Sequence, residues 1–256
     1  MISISEAQII GWLSPILWPF LRVLAVFTAA PVFSSRAFPV RARIGLAFLI
    51  AYAAQASMPN QPVIDINGPE ALGAVVQQVG IGLAIGFAVR LIFGAFELAG
   101  QIVGFQMGLG FASFFDPSTS AQSSAMGRFY NNMAVLLFIV MNGHLLVLMA
   151  VIHSFQAFPV DQNFLLALKD LRMYELGADL FASAFWISLP VVAMLMFANL
   201  ALGIVSRVAP QMNIYAIGFP ITLSVGLIGV AVTLPMLEHP FRSEEHTSEL
   251  QSRYVI

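Results

Sequence analysis

The chain has 256 residues, of which 59% are hydrophobic and only 9% are charged, and its formal net charge is −2. Soluble domains carry about 25% charged residues, so this composition indicates a chain that lies mainly in lipid. The absence of cysteine excludes thiol redox chemistry and thiolate metal sites, and the charge balance does not favour nucleic-acid binding.

Long continuous apolar runs, rather than short alternating segments, predict membrane helices. Because a span needs about 20 apolar residues, the second run is short and the third and fourth are long. We therefore predict an all-α integral membrane protein with about six helical segments, some of them tilted, kinked or partly outside the bilayer. The runs are roughly 9–30, 44–58, 71–99, 129–158, 180–204 and 213–237.

The charges of the first two loops predict the orientation of the chain. Loop 31–43 holds three arginines and no acid, whereas loop 58–70 holds Asp65 and Glu70 and no base. Basic loops stay in the cytoplasm, so we expect 31–43 to be cytoplasmic and both termini to be outside. The first apolar segment follows no basic region, so we do not expect it to be a cleaved signal peptide.

Glycines recur at four-residue spacing in two groups, one within the third apolar run and one just beyond it. The groups are Gly82 with Gly86, and Gly100 with Gly104 and Gly108. Small residues at this spacing let helix backbones approach closely in lipid. The pattern has two interpretations, which are packing within the chain and a face reserved for a partner subunit.

The sequence offers little chemistry for an enzyme. Its only lysine, Lys169, lies in a stretch without glycine, so no phosphate-binding P-loop is formed. None of the four histidines lies four residues from another. We therefore predict no catalytic, cofactor-binding or metal site.

Ionisable residues within the apolar runs need partners there, and four of them are candidates for a role. They are Arg22, Arg90, Glu97 and His144. One interpretation is a structural ion pair, for instance between Arg22 and Glu97, and the other is the lining of a conduit. His144 is either a hydrogen-bonded packing residue or a ligand.

The stretch GLGFASFFDPSTS, residues 108–120, interrupts the apolar pattern with glycines, phenylalanines and hydroxyls. Glycine allows the backbone to bend, and Asp116-Pro117 ends any preceding helix. A loop with an aromatic tip suits a removable obstruction in a pore, and it equally suits a connection whose phenylalanines lie at the membrane interface. The last segment, 242–256, is polar and unlike the rest, and we interpret it as appended cloning-derived sequence.

Four blocks together resemble the FliR family of flagellar export-gate proteins and their injectisome relatives. The last block contains Arg207, Pro210, Gln211, Gly218 and Pro220 in order, and the resemblance covers nearly all of 1–240. The blocks are WPFLRVLAVFTAAPVFSSRAFPVRARIGLA (18–47), GFQMGLGFASFFDP (104–117), FIVMNGHLLVL (138–148) and NLALGIVSRVAPQMNIYAIGFPITLSVGL (199–227).

This resemblance implies a structural subunit built of helical hairpins, occupying residues 1–241. With FliP-like and FliQ-like subunits, and with FlhA-like and FlhB-like components, it would form the channel that passes unfolded flagellar proteins across the bacterial inner membrane at the flagellar basal body. The family also implies a plug role for one loop. We expect that plug at Gln106, Met107, Gly108, Gly110, Phe111, Phe114, Phe115, Asp116 and Pro117.

Two alternatives stay open from sequence. The chain could belong to a virulence injectisome instead of a flagellum. It could also be a small-molecule secondary transporter that uses the buried ionisable residues, although no inverted repeat supports this.

Overall fold

The computed structural model describes residues 6–36, 38–55, 68–111, 124–159, 173–211 and 214–235, and every regular element in these ranges is helical. The prediction of an all-α chain is therefore confirmed. The helices are α1 (Glu6–Ala29), α2 (Pro31–Ser34), α3 (Val40–Gln55), α4 (Pro69–Gln106), α5 (Ala125–Val140), α6 (Gly143–Ala157), α7 (Met173–Val208) and α8 (Ile214–Thr233), with a 3-10 turn at Leu109–Phe111.

Local sequence explains where several helices begin. Pro69 is the first residue of α4, a position where its missing N–H is not needed. Ser124 caps α5, because its hydroxyl accepts a 3.0 Å hydrogen bond from the N–H of Gly127. Asn142 precedes α6 with a φ of 57°, in the left-handed region that asparagine tolerates.

The fourth apolar segment, predicted as one run over 129–158, is two helices. The break lies at Asn142, where the left-handed backbone cannot continue α5. Within the described residues, two helical stretches, Ala71–Gln106 and Glu175–Val208, are long and apolar enough to cross a membrane, or three if α5 and α6 count as one broken span. The apolar stretches Leu13–Ala29 and Ile217–Thr233 are shorter. This agrees with the prediction that the segments do not make six regular spans.

The chain divides into two compact units. The first comprises residues 1–91 and 142–176, and the second comprises 92–141 and 177–256. Helix α4 contributes its first part to one unit and its remainder to the other.

In the first unit, α1 packs against α3 and α4. The buried side of α3 consists of alanines, which lets its backbone lie close to α1. Gly82 and Gly86 likewise let the backbone of α4 lie close to α1, because a Cβ at Gly86 would lie 2.5 Å from the Cβ of Ala29 of α1. Trp18 of α1 is buried with Ala74 of α4. Helix α1 therefore packs closely against both α3 and α4.

In the second unit, α4 packs against α5. The rings of Phe93 and Phe138 meet edge to face, with their centroids 5.5 Å apart. A Cβ at Gly100 would lie 2.5 Å from the carbonyl oxygen of Met126, and Gly104 faces the same residue. Both glycine groups thus pack within the chain, as the first interpretation of their spacing predicted.

Candidate functional site

A fully buried arginine organises the first unit. Nε of Arg22 donates to Oε1 of Gln78 at 2.8 Å, Nη1 donates to the hydroxyl of Ser154 at 3.0 Å, and Nη2 donates to the carbonyl of Phe158 at 2.9 Å. The guanidinium carbon also lies 3.8 Å from the centre of the Phe155 ring. Every nitrogen of this side chain therefore has an acceptor, and its face has an aromatic partner.

Two glutamines extend this arrangement. Nε2 of Gln78 donates to Oε1 of Gln77 at 3.2 Å, and Nε2 of Gln77 donates to the carbonyl of Pro159 at 3.0 Å. The donors run in one direction, away from the positive charge of Arg22, so each bond polarises the next. The carbonyls of Phe158 and Pro159 lie just beyond α6, where a helix end lacks internal donors and favours a cation. We call Arg22, Gln77, Gln78, Ser154 and the two carbonyls the arginine clamp.

The arginine clamp corrects one interpretation from sequence. The described partners of Arg22 are neutral groups, so the suggested ion pair with Glu97 is wrong. Arg22 instead joins α1, α4 and α6 within one unit. Sequence reasoning identified Arg22 but missed Gln77 and Gln78, whose neutral amides in an apolar run were the available signal.

The other ionisable residues take no part in the clamp. Arg90 is exposed on α4, and His144 is half-buried at the start of α6. Glu97 is half-buried on the part of α4 that belongs to the second unit. No group of three or more metal-ligating side chains occurs among the residues that the structure describes.

In the second unit, the predicted plug segment begins at the end of α4, where packing holds Met107 in place. Met107 is fully buried, and its side chain fills the space beside Gly226 of α8. A Cβ at Gly226 would overlap Cγ of Met107 and lie 2.7 Å from its sulfur. The hydroxyl of Thr222 lies 3.3 Å from the carbonyl oxygen of Met107 and shares its single hydrogen among this oxygen and the carbonyls of Gly218 and Phe219 in its own helix. We call Met107, Thr222 and Gly226 the loop root.

The chain changes direction directly after the loop root. Gly108 has a φ of +83°, a left-handed conformation that glycine adopts without strain. A Cβ there would also lie 3.3 Å from the Phe219 ring. Gly110 follows in the 3-10 turn, where a Cβ would lie 2.6 Å from the ring of Phe105. Glycine is therefore favoured at Gly108 by conformation, and at Gly110 because a Cβ would displace the exposed ring of Phe105.

The remaining predicted plug residues are only partly covered by the structure. Gln106 is the exposed last residue of α4, and Phe111 ends the 3-10 turn. Phe114, Phe115, Asp116 and Pro117 lie outside the described residues.

The five residues singled out in the last sequence block lie on both sides of the connection from α7 to α8. Arg207, Pro210 and Gln211 are exposed at the end of α7 and just beyond it. In α8, the carbonyl of Gly218 accepts a 3.1 Å bond from Thr222, and the carbonyl of Pro220 accepts a 2.8 Å bond from Ser224. Thr222 and Gly226, which contact the predicted plug segment, were missed from sequence.

The family profile and the relatives that match this chain all belong to one family of bacterial export proteins. The profile of the family described as Bacterial export proteins, family 1, matches residues 13–247. The flagellar biosynthetic protein FliR of Escherichia coli (strain K12) is 37% identical over 245 residues, covering 94% of each chain. The FliR of Pectobacterium carotovorum subsp. carotovorum is 36% identical over 247 residues, also covering 94% of each chain. The FliR of Bacillus subtilis (strain 168) is 34% identical over 221 residues, covering 85% of each chain.

Proposed function

Since the chain belongs to the bacterial export proteins of family 1, whose relatives named above are FliR proteins, we propose that it is a structural subunit of the flagellar export gate. The observation that carries this proposal is the match over nearly the whole chain. Helices α4 and α7 are long and apolar enough to cross a membrane, and the names of the relatives support a location at the flagellar export apparatus. We infer that the export-gate part comprises residues 1–241 and that 242–256 is an appended segment, of which the family profile overlaps only 242–247.

The subunit acts without catalysis. It joins FliP-like and FliQ-like subunits, with FlhA-like and FlhB-like components, to form a passage for unfolded flagellar proteins across the inner membrane. The names of the relatives favour the flagellar gate over the injectisome. The secondary-transporter alternative would use Arg22, Arg90, Glu97 and His144, and of these Arg22 already donates to three groups of its own chain.

The segment from Gln106 to Pro117 is the plug of this passage. Supporting this role, Met107 holds the start of the segment in the loop root, and Gly108 then redirects the chain. Phe111, Phe114 and Phe115 are the obstructing side chains. Apolar contact seals the passage without strong bonds, so an entering substrate displaces the plug at low cost.

Solute leakage through the assembled gate tests the proposed function and the plug together. Replacing Phe111, Phe114 and Phe115 with alanine should increase the leakage of a small fluorescent solute from cells that contain the complete gate. The matched control replaces three exposed phenylalanines of α7 with alanine, namely Phe181, Phe185 and Phe197. Unchanged leakage in the first variant, or equal leakage in both, contradicts the plug.

A further inference from the structure

Positive charge gathers just before α3 and in its first turn. Arg36, Arg41 and Arg43 stand in a stretch with no acidic residue between Glu6 and Asp65. The side chains of Arg36 and Arg41 are exposed, and Arg43 is half-buried with an Nε atom that is buried and unpartnered. Within the described ranges, none of these three side chains forms an ion pair or a hydrogen bond.

An exposed apolar strip continues from this charge along α3. Phe48 is 49% exposed and Tyr52 is 62% exposed, and they follow Arg41 by seven and eleven residues. Helical geometry places residues at these intervals on one side of the helix. The opposite side carries the buried alanines that face α1, so the strip and Arg41 together form the outer side of α3.

Gly45 makes a notch in this outer side. It lies one turn beyond Arg41 and one turn before Phe48, and a Cβ there would meet nothing within 4 Å. The helix surface is therefore recessed directly below the exposed guanidinium. A thin apolar chain can lie in such a recess against the backbone.

We propose that the outer side of α3 binds an anionic phospholipid, with its phosphate at Arg36 and Arg41 and an acyl chain over Gly45, Phe48 and Tyr52. A phospholipid has a negative headgroup followed by apolar acyl chains. Along α3, the exposed arginines likewise come first and the exposed apolar strip follows. Anionic headgroups attract arginines at the membrane surface, and the loop before α3 has the charge of a cytoplasmic loop. The inference depends on the membrane location of the chain and does not depend on its role in export.

Lipid binding to the purified full chain tests this. The chain is extracted in mild detergent and titrated with phosphatidylglycerol or phosphatidylcholine, and bound lipid is counted by native mass spectrometry. The double variant Arg36→Gln/Arg41→Gln should bind phosphatidylglycerol about 25-fold more weakly, at about fivefold for each arginine. The affinity for phosphatidylcholine, which is lower than that for phosphatidylglycerol in the unaltered chain, should be the same in the double variant. Arg128→Gln, at an exposed arginine of α5, is the matched control and should bind both lipids as the unaltered chain does.

A second pair of variants tests the acyl-chain recess. Gly45→Leu should fill the notch and weaken phosphatidylglycerol binding, whereas Gly203→Leu, at an equally open glycine of α7, should not. Neither variant should lower the melting temperature, since neither glycine has a close neighbour and leucine favours a helix more than glycine does.

Three results would overturn the proposal. One is unchanged phosphatidylglycerol affinity in the double arginine variant, and another is an equal loss of both lipids. The third comes from crosslinking. Because the chain has no cysteine, Phe48→Cys provides a single attachment point for a photoreactive probe, which should label lipid in native membranes. Labelling of another protein chain would show that this surface is a subunit interface and would overturn the proposal.

Discussion

Arg22 and Gln78 are joined by a 2.8 Å hydrogen bond, and both side chains are fully buried. The bond links α1 to α4 at a place where an unpartnered cation would be costly. Two further acceptors and the Phe155 ring complete the surroundings of the guanidinium. Helix α1 can thus hold a buried positive charge that is stabilised by neutral groups.

Replacing Arg22 with methionine should lower the melting temperature of the purified chain by about 10 °C. The change removes three charge-assisted hydrogen bonds and leaves buried acceptors unpaired, a loss of about 3 kcal/mol or more. Arg22→Lys should recover part of this loss, because its ammonium reaches fewer of the acceptors. Arg90→Met, at an exposed arginine, should shift melting by no more than about 2 °C. Equal stability of Arg22→Met and the unaltered chain would contradict the arginine clamp.

Two glycines of α4 should respond to alanine in opposite directions. At Gly82 a Cβ would overlap the carbonyl oxygen of Arg22 and lie 2.7 Å from the Cβ of Ala25, so Gly82→Ala should force α1 away and destabilise the chain. At Gly73 a Cβ meets nothing within 4 Å, so Gly73→Ala should stabilise the helix by about 0.5–1 kcal/mol. Thermal unfolding in detergent measures both, and shifts of the same sign would count against close helix packing at Gly82.

The loop root predicts an interaction between Met107 and Gly226. Gly226→Ala should cost about 1–3 kcal/mol, because its Cβ collides with the buried Met107 side chain. Met107→Ala should also destabilise the chain by leaving a cavity. The double variant should be more stable than the sum of the two single effects implies, since the shorter side chain makes room for the new methyl group. Additive effects would show that the two residues do not meet.

Gly108 should tolerate asparagine better than alanine. A φ of +83° costs a residue with a Cβ about 1–2 kcal/mol, and asparagine is among the residues that accept it most readily. We expect swimming in soft agar to fall in the order glycine, asparagine, alanine when the variants replace the native gene. Full swimming with Gly108→Ala would mean that the left-handed turn is not required for export.

The sequence identified the helices and some individual residues, but not their partners. Continuous apolar runs located the helical segments because a helix in lipid satisfies its own backbone. The break at Asn142 was missed, although Asn142-Gly143 is a dipeptide that favours turns and was the available signal. Arg22 was noticeable as a charge in an apolar run. Gln78 and Thr222 were not, because their importance comes from residues 56 and 115 positions away.

The composition of the particle that contains this chain tests the central claim most directly. The chain is tagged in its host, extracted in mild detergent and examined by native mass spectrometry. A particle that contains the chain together with FliP-like and FliQ-like chains is the predicted result. A monomer or homodimer that persists in several detergents, with no export-gate chains bound, would contradict a structural role in the flagellar export gate.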